Sequence, residues 1–339
     1  MSAPQEYAST QPAGYTNHIR SVALVGATGQ QGKRILAELL ARKEQWAIHV
    51  LTRAGGSATD VPSPVHLHEI DYDSHGSIVS ALKGVDILII TLAVTAPGDT
   101  STKLITAAKE AGVKWIVPNE WSTSGENVQL EKDIMMHDRL DPVRKQIVAE
   151  GLSYIAFATG FWYEYSLGIG AETYGFDFAN RQVIFFDGGD TKICTSTWEQ
   201  VARGVAKLLS LPILPNDEAD KQPTISQWRN RHAHVASFIV SQKDMLESVE
   251  RVTGTTDSDW KIVHQTSAER VESGQADMMA GQRVGFIRKM YSRVFFPTGE
   301  GNFENLLDNE VLGLPKEDLD KCTKAAIERF EKGGLAYRD

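Results

Sequence analysis

The sequence has few of the features that mark secreted or membrane-bound proteins. Its 339 residues include only two cysteines, Cys194 and Cys322, which are too few for a disulfide framework and are typical of a reducing compartment. A single disulfide between them is the alternative. No uninterrupted apolar run reaches the ~18–20 residues of a membrane-spanning helix. We therefore predict a cytoplasmic protein that does not bind membranes; a nuclear location stays open, although no basic cluster indicates one.

Basic residues are also scarce. There are 35 lysines and arginines against 44 aspartates and glutamates, which gives a net charge of -9. Such a surface repels phosphate backbones and anionic lipids, so we predict neither a nucleic-acid nor a membrane partner. Residues 1–18 contain neither the apolar core nor the Arg-rich pattern of a targeting segment. We predict that they form a disordered tail.

Short apolar runs alternate with amphipathic helices over residues 19–160. The run from Ser21 to Val25 stops at Gly26, as a buried parallel strand does. The next segment, Gln31 to Arg42, places its isoleucine and leucines on one helical face. This alternation predicts an α/β domain with a doubly wound parallel sheet. Residues 161–339 have a different pattern, with one further strand at Arg231 to Val240 and mostly helical segments after it. We predict a smaller, mostly helical α/β C-terminal substrate lobe. For the segments near 195–240 the alternative is a return to the first domain.

The most informative motif joins the first strand to the first helix. Gly26, Gly29 and Gly32 have the spacing G-x-x-G-x-x-G. In dinucleotide-binding turns these glycines permit the tight turn, the approach of the pyrophosphate and close packing of the helix on the strand. The amino terminus of the helix adds free N–H groups for the phosphates. Because a strand precedes the motif and a helix follows it, we predict a dinucleotide site.

The end of the second predicted strand selects the cofactor. NAD-binding sheets usually carry an Asp or Glu there, which binds the ribose hydroxyls. This strand instead ends in Thr52 and Arg53, without a carboxylate. The forked guanidinium of Arg53 suits a 2'-phosphate, and Lys33 on the first helix adds charge. For both residues the alternative is a solvated surface cation. The pattern favours NADP(H) over NAD(H).

Together, the segments VALVGATGQQGKR, LTRAG, IITLAV, VKWIVPNEWS and VRKQIVAEGLSYIAFATGFWYEY resemble the NmrA-like and isoflavone reductase-like proteins, which are atypical short-chain dehydrogenases. The fungal members are the most similar, and the resemblance covers roughly residues 19–187. It implies a Rossmann-type NADP(H)-binding domain and a C-terminal substrate lobe. The cofactor contacts implied by the resemblance are Gly26, Thr28, Gly29, Gln30 and Gly32 at the pyrophosphate, Arg53 at the 2'-phosphate, Asp71 and Tyr72 beside the adenine, Thr91, Leu92, Ala93, Pro118, Asn119 and Glu120 at two further strand ends, and Thr159, Gly160 and Phe161 beside the nicotinamide.

The sequence lacks the proton donors that such enzymes use. None of the nine tyrosines is followed by a lysine four residues later, so the Tyr-x-x-x-Lys pair of short-chain dehydrogenases is missing. Reductases of the isoflavone type use a helix lysine three residues before an Ile/Val-Arg pair, and Leu140 occupies that position before Val143 and Arg144. We therefore consider His137, because imidazole titrates near neutrality, and Tyr163 as candidate catalytic residues. For His137 the alternative is a solvent-facing helix histidine.

Two functions fit these patterns. The first is an NADPH-dependent oxidoreductase that reduces a small aromatic or polyketide-like compound. The aromatic residues just after the last strand of the first domain, Phe161, Trp162, Tyr163 and Tyr165, favour it if they line a pocket, whereas core packing is their alternative role. The second function is a non-catalytic sensor that binds NADP(H) and acts through a regulatory protein partner. No motif indicates a metal site, because the pairs His66-x-His68 and His232-x-His234 lack further ligands.

Overall fold

The computed structural model describes residues 5–42, 45–53, 55 and 61–333, and the predicted alternation of strands and helices is present in it. The strands are β1 (Ser21–Val25), β2 (Ala47–Arg53), β3 (His66–Ile70), β4 (Ile87–Ile90), β5 (Trp115–Val117), β6 (Trp121–Ser122), β7 (Ser153–Ala158), β8 (Phe161–Trp162), β9 (Phe176–Asp177), β10 (Gln182–Phe186), β11 (Ile193–Ser196), β12 (Arg231–His234), β13 (Phe238–Val240) and β14 (Lys261–Gln265). The helices are α1 (Gln30–Leu40), α2 (His75–Leu82), α3 (Thr100–Ala111), α4 (Val128–Asp133), α5 (His137–Ala149), α6 (Tyr163–Gly168), α7 (Trp198–Leu209), α8 (Gln242–Thr253), α9 (Ser267–Met279), α10 (Arg283–Val294) and α11 (Leu319–Glu331).

A parallel sheet organises the first half of the chain. Its strands are ordered β12-β7-β5-β4-β1-β2-β3, and β6 pairs with β7 as an eighth strand. Because β1 lies between β2 and β4, the direction of winding reverses at β1. Ligands of doubly wound sheets bind at the carboxyl ends of the strands at this reversal. The fold prediction is confirmed.

Both faces of the sheet are covered, which explains its continuous apolar strands. All five residues of β1 are buried. On one face, Ile35 and Leu39 of α1 pack with Val201 and Val205 of α7. On the other face, residues of α2, α3 and α5 form a second cluster. Burial of each such aliphatic side chain contributes about 1.5–3 kcal/mol, so the apolar stripe of α1 holds the glycine turn against the sheet.

The second half contains more strand than the sequence predicts. Two three-stranded sheets, β14-β10-β9 and β13-β11-β8, lie among α6 and α8 to α11. The predicted single strand from Arg231 to Val240 is wrong, because β12 belongs to the large sheet and β13 to a small one. The chain crosses between the sheets over three residues: the Val235 N–H donates to Ala158, and the Ser237 N–H donates to Thr195. The segment contains neither glycine nor proline, so the sequence shows no break between the two strands.

Two other segments bear on the predicted domain boundaries. The α7 helix and β12 pack with the large sheet, in the region near 195–240 that the sequence left open. Residues 1–4 of the predicted disordered tail lie outside the described residues. The rest of that tail is not disordered as predicted, because it is hydrogen-bonded to the segment after α7. The Ala8 N–H donates to the Pro215 carbonyl oxygen (2.9 Å), and Asn17 Nδ2 donates to the Leu214 carbonyl oxygen (2.8 Å).

Candidate functional site

The glycine turn is packed tightly against the end of β4. Gly26 has a φ of +80°, which favours glycine, and a Cβ atom there would lie closer than 3.0 Å to the Thr91 carbonyl oxygen. A Cβ atom on Gly32 would lie equally close to the Gly26 carbonyl oxygen. The Thr91 hydroxyl fixes the turn by donating to the carbonyl oxygen of Val25 at 2.7 Å. The α1 helix begins directly after the turn with Gly29 as its N-cap, so its first N–H groups are available to an anion.

A cavity of about 590 Å³ lies over this turn at the carboxyl ends of β1 to β4. We call it the cofactor cavity. Nine of the predicted cofactor residues line it: Gly26, Thr28, Gly29, Arg53, Asp71, Tyr72, Thr91, Leu92 and Ala93. The predicted residues Gln30, Gly32, Lys33, Pro118, Asn119, Glu120, Thr159, Gly160 and Phe161 do not. A further wall of the cofactor cavity was not predicted from the sequence. It consists of Asp73, Thr95, Ala96, Pro97, Asp99, Thr100 and Lys103.

Arg53 differs from the other cation of this cavity, Lys103, in its charged surroundings. It is exposed at the end of β2 and, within the described residues, has no ion-pair partner. By contrast, Lys103 is held by Asp73 (2.8 Å) and Asp99 (3.0 Å), and its hydrogen bond lowers the pKa of Asp73. Burial raises the pKa of Tyr72, and the charge of nearby Arg53 partly offsets this. Arg53 and Tyr72 thus form a positive and aromatic corner that suits the phosphorylated ribose and adenine of a dinucleotide.

Gln31 is a buried amide in the first turn of α1. Only 7% of its surface is exposed, and within the described residues neither its amide nitrogen nor its amide oxygen has a hydrogen-bond partner. Buried amides are normally paired, because an unpaired one costs about 1–3 kcal/mol. Gln31 does not line the cofactor cavity, so its amide is a local cost to stability and not a contact for a ligand. The tight glycine turn and Arg53 are the features that fit a bound dinucleotide.

The remaining strand ends connect the sheet to the C-terminal half. Asn119 Nδ2 donates to the Leu92 carbonyl oxygen at 3.1 Å and so joins the ends of β5 and β4. Thr159 is fully buried, with its carbonyl oxygen accepting from Ser196 Oγ at 2.7 Å. Phe161 stacks on Tyr291 of α10 with ring centroids 3.9 Å apart. These residues lie where the nicotinamide side was predicted, and in this structure they make packing contacts.

A buried chain of charges runs beside these strand ends. Arg144 Nη1 donates to Glu120 Oε1 at 2.9 Å, and Arg144 Nη2 donates to both oxygens of Glu131 at 2.9 and 2.8 Å. His232 Nε2 lies 2.7 Å from Glu120 Oε1, and His137 Nδ1 lies 2.7 Å from Glu131 Oε2. Glu120, Glu131 and Arg144 are each at most 7% exposed. The sequence did not indicate this chain, because its members come from β12, α4, α5 and the segment after β5.

The two candidate proton donors have very different surroundings. The His137 side chain is 19% exposed, and its Nε2 lies 3.9 Å from Asp141, beyond hydrogen-bond distance. It is the first residue of α5. Tyr163 is fully enclosed, its hydroxyl lies 2.7 Å from Thr323 Oγ1, and burial raises its pKa far above the usual value. This placement argues against Tyr163 as a proton donor.

The aromatic patch around Tyr163 packs in the interior. Tyr163 contacts Phe238 edge-on at 5.1 Å, and Trp162 stacks on Trp198 at 6.0 Å. Leu140, at the position of the family lysine, is also buried. Among the described residues, no helix is long and apolar enough to cross a membrane, and no group of three His, Cys, Asp or Glu side chains is arranged to hold a metal ion. Cys194 and Cys322 are free thiols.

A glycine turn at the winding reversal of a parallel sheet defines the class of dinucleotide-binding α/β proteins. A sequence model of the NmrA-like family matches residues 19–168. The oxidoreductase aprR of Aspergillus flavus is 26% identical over 316 residues, which are 90% of this chain and 98% of that protein. An isoflavone reductase homolog of Solanum tuberosum is 32% identical over 206 residues, which are 57% of this chain and 67% of that protein. The chain belongs to the NmrA-like and isoflavone reductase-like family.

Solved structures share the fold. The structure of AtPrR2 with NADP+ and (+)pinoresinol has a TM-score of 0.72 at 20% identity and covers 91% of this chain and 99% of its own. A crystal structure of isoflavone reductase has a TM-score of 0.68 at 18% identity, with 92% and 99% covered. The sequence comparisons confirm the family prediction, and these structures confirm the predicted fold.

Proposed function

We propose that this protein binds NADP(H) and reduces a small aromatic or polyketide-like compound with it. The observation that carries the proposal is the cofactor cavity, which is lined by the glycine turn and by Arg53 at the end of β2, a cation without an ion-pair partner in the part of the chain that the structure describes. Aspartate or glutamate at that strand end would select NAD(H). The names of the relatives support the reductase class, since they include oxidoreductases and pinoresinol reductases.

Each part of the cavity has a role in this proposal. The N–H groups at the start of α1 and the glycine turn bind the pyrophosphate, Arg53 binds the 2'-phosphate, and Tyr72 contacts the adenine. The cofactor, when bound, supplies the hydride. The protein must then place the acceptor, exclude water and deliver one proton to the atom that gains negative charge.

We propose His137 as the group that delivers this proton. Glu131 accepts from Nδ1 of the imidazole at 2.7 Å, so His137 acts as the donor in its imidazolium form, in which Nε2 carries the second, transferable proton. Arg144 makes two hydrogen bonds to Glu131 and keeps that carboxylate oriented. Glu131 is in this scheme a positioning residue, since it acts through His137. Leu140, in place of the family lysine, has no proton to give.

Titration calorimetry tests the cofactor assignment. We expect NADPH to bind more tightly than NADH. The Arg53→Ala variant should lose roughly tenfold to a hundredfold in NADPH affinity, because one charged hydrogen-bonding contact contributes about 1.5–3 kcal/mol. Its NADH affinity should change little. Arg20→Ala is the matched control, since Arg20 is an exposed cation just before β1, at the opposite edge of the sheet. Equal affinities for NADPH and NADH, or an Arg53→Ala variant with the NADPH affinity of the wild type, would contradict the assignment.

The second candidate is a cofactor-sensing regulator with a protein partner. Two observations favour it: Leu140 replaces the proton-donating lysine, and Phe161 stacks directly on Tyr291 where a substrate pocket was predicted. NADPH oxidation measured across a panel of aromatic ketones, enones and quinones separates the two functions. Turnover of any member supports the reductase. Tight NADPH binding without turnover supports the regulator.

A further inference from the structure

A second cavity lies on the α1 and α7 side of the molecule. Its volume is about 680 Å³, and it is bounded by α1, α6, α7, residues 315–318 and α11. We call it the α11 cavity. It shares no lining residue with the cofactor cavity. A volume of this size is in the range that holds a small organic molecule.

Three of the four acidic residues that line the α11 cavity are already engaged. Glu199 pairs with Arg34 at 2.6 Å. Glu317 pairs with Arg203 and also accepts from the hydroxyls of Thr197 and Ser237. The Asp318 carboxylate caps α11 by accepting from the Lys321 N–H.

The last acidic residue of the lining, Glu164, carries only part of a negative charge. Burial raises its pKa to about 7, the charges of Glu199 and Glu317 add to the effect, and Arg34 opposes it. A carboxyl group with this pKa is about half protonated at neutral pH. Little negative charge therefore remains free to attract a cation into the cavity.

Three cations that line the α11 cavity have no carboxylate partner in the part of the chain that the structure describes. Within the described residues, no carboxylate pairs with Lys316, Lys321 or Arg329. The cavity thus has an excess of positive charge in a chain whose net charge is -9. An excess of unpaired cations in a concave site favours an anionic ligand.

Arg329 is held in place by aromatic rings. Its guanidinium carbon lies 5.3 Å from the centroid of the Tyr165 ring and 5.5 Å from that of Trp198. Its Nε is buried and has no hydrogen-bond acceptor. Stacking on rings orients a guanidinium while its in-plane N–H groups stay available. A planar fork of this kind matches a carboxylate.

We infer that the α11 cavity binds a small organic carboxylate, with Arg329 as its main contact and Lys321 as a second cation. Pro315, Ala325 and Trp198 offer apolar surface to the body of the ligand. Inorganic phosphate fits less well, because it has no apolar body to cover Pro315, Ala325 and Trp198.

Calorimetric titration of the full-length protein with sodium benzoate tests this inference. We expect saturable binding of benzoate, and none of benzamide, which has the same shape without the charge. Arg329→Gln should weaken benzoate binding by at least about tenfold, as loss of a charged contact does. Lys321→Gln should weaken it by a smaller factor, and it provides a second test if Arg329→Gln does not fold by circular dichroism.

Two control variants locate the effect. Arg283→Gln removes an exposed cation of α10 that does not line either cavity, and Arg53→Ala removes the cation of the cofactor cavity. Both should bind benzoate as the wild type does. The inference is overturned if benzoate does not bind, if benzamide or inorganic phosphate binds as well as benzoate, or if a control variant loses as much affinity as Arg329→Gln.

Discussion

Arg144 and Glu131 form an ion pair in the interior, in which Nη2 donates to Oε1 at 2.9 Å and to Oε2 at 2.8 Å. Arg144 also donates from Nη1 to Glu120, so a single guanidinium joins two buried carboxylates. The three residues connect α4 and α5 to the segment that follows β5. They therefore fix the position of His137, which begins α5.

We predict that this ion cluster is indispensable for stability. Arg144→Leu leaves Glu120 and Glu131 buried without a cation, which should lower the free energy of unfolding by about 3–5 kcal/mol. Arg144→Lys keeps the charge but has only one nitrogen in place of the guanidinium. Its free energy of unfolding should therefore fall by less than that of Arg144→Leu. Urea unfolding of both variants measures the difference. Arg20→Leu is a surface control with an expected change below about 0.5 kcal/mol, and an equally small change for Arg144→Leu would disprove the prediction.

If His137 delivers the proton, substitution of His137 should lower the rate of turnover more than the affinity for NADPH. His137→Gln should lower the single-turnover rate of NADPH oxidation by about a hundredfold to ten-thousandfold, with unchanged NADPH affinity. Glu131→Asp keeps the charge but withdraws it from Nδ1, and should shift the pH profile of the rate. The control is Asp138→Asn, an exposed change in the same helix. A His137→Gln variant with the wild-type rate would leave solvent as the proton source.

The sequence predicted the cofactor side of the site far better than the catalytic side. Gly26, Gly29, Thr91 and Arg53 line the cofactor cavity as expected, because a turn and the strands next to it in a parallel sheet have a fixed geometry. The wall formed by Asp99 and Lys103 comes from the loop and helix after β4, whose path no local pattern determines. The partners of Arg144 are separated from it by up to 88 residues, and such contacts arise only from the tertiary fold.

The aromatic segment after β7 shows a second limit. Composition alone cannot distinguish a pocket wall from a core, since both use large apolar rings. Tyr163 and Phe161 pack against Phe238 and Tyr291, which are 75 and 130 residues further along the numbered sequence. The helical pattern of the C-terminal half could be read from the sequence, whereas β9 and β14 are short and contain polar residues. The apolar run of β10 follows a segment rich in aromatic residues and glycines that has no clean period.

Gln31 should affect stability without affecting cofactor affinity. Gln31→Leu replaces a buried amide, which has no hydrogen-bond partner within the described residues, with an apolar side chain of similar size. The free energy of unfolding should therefore rise by about 1–2 kcal/mol. NADPH affinity should stay unchanged, because Gln31 does not line the cofactor cavity. Urea unfolding without NADPH and calorimetry with it provide the two measurements, and a variant that is less stable than the wild type would contradict the prediction.

The buried His234 should make stability depend on pH. Burial lowers its pKa to about 4, with a further contribution from the charge of His232, and its Nε2 lies 2.9 Å from Ser124 Oγ. The unfolded chain takes up a proton at its ordinary pKa near 6.5, whereas the folded protein does so only near pH 4. Stability contributed by neutral His234 is therefore complete above about pH 7 and decreases as the pH falls from 6.5 to 4, by up to about 3 kcal/mol.

The nearby Asp308 has the opposite effect, because burial raises its pKa, so a comparison with a variant is required. Urea unfolding between pH 7.5 and pH 4.5 should show a steeper decline for the wild type than for His234→Asn, which cannot titrate. Parallel declines would mean that His234 does not set this pH dependence.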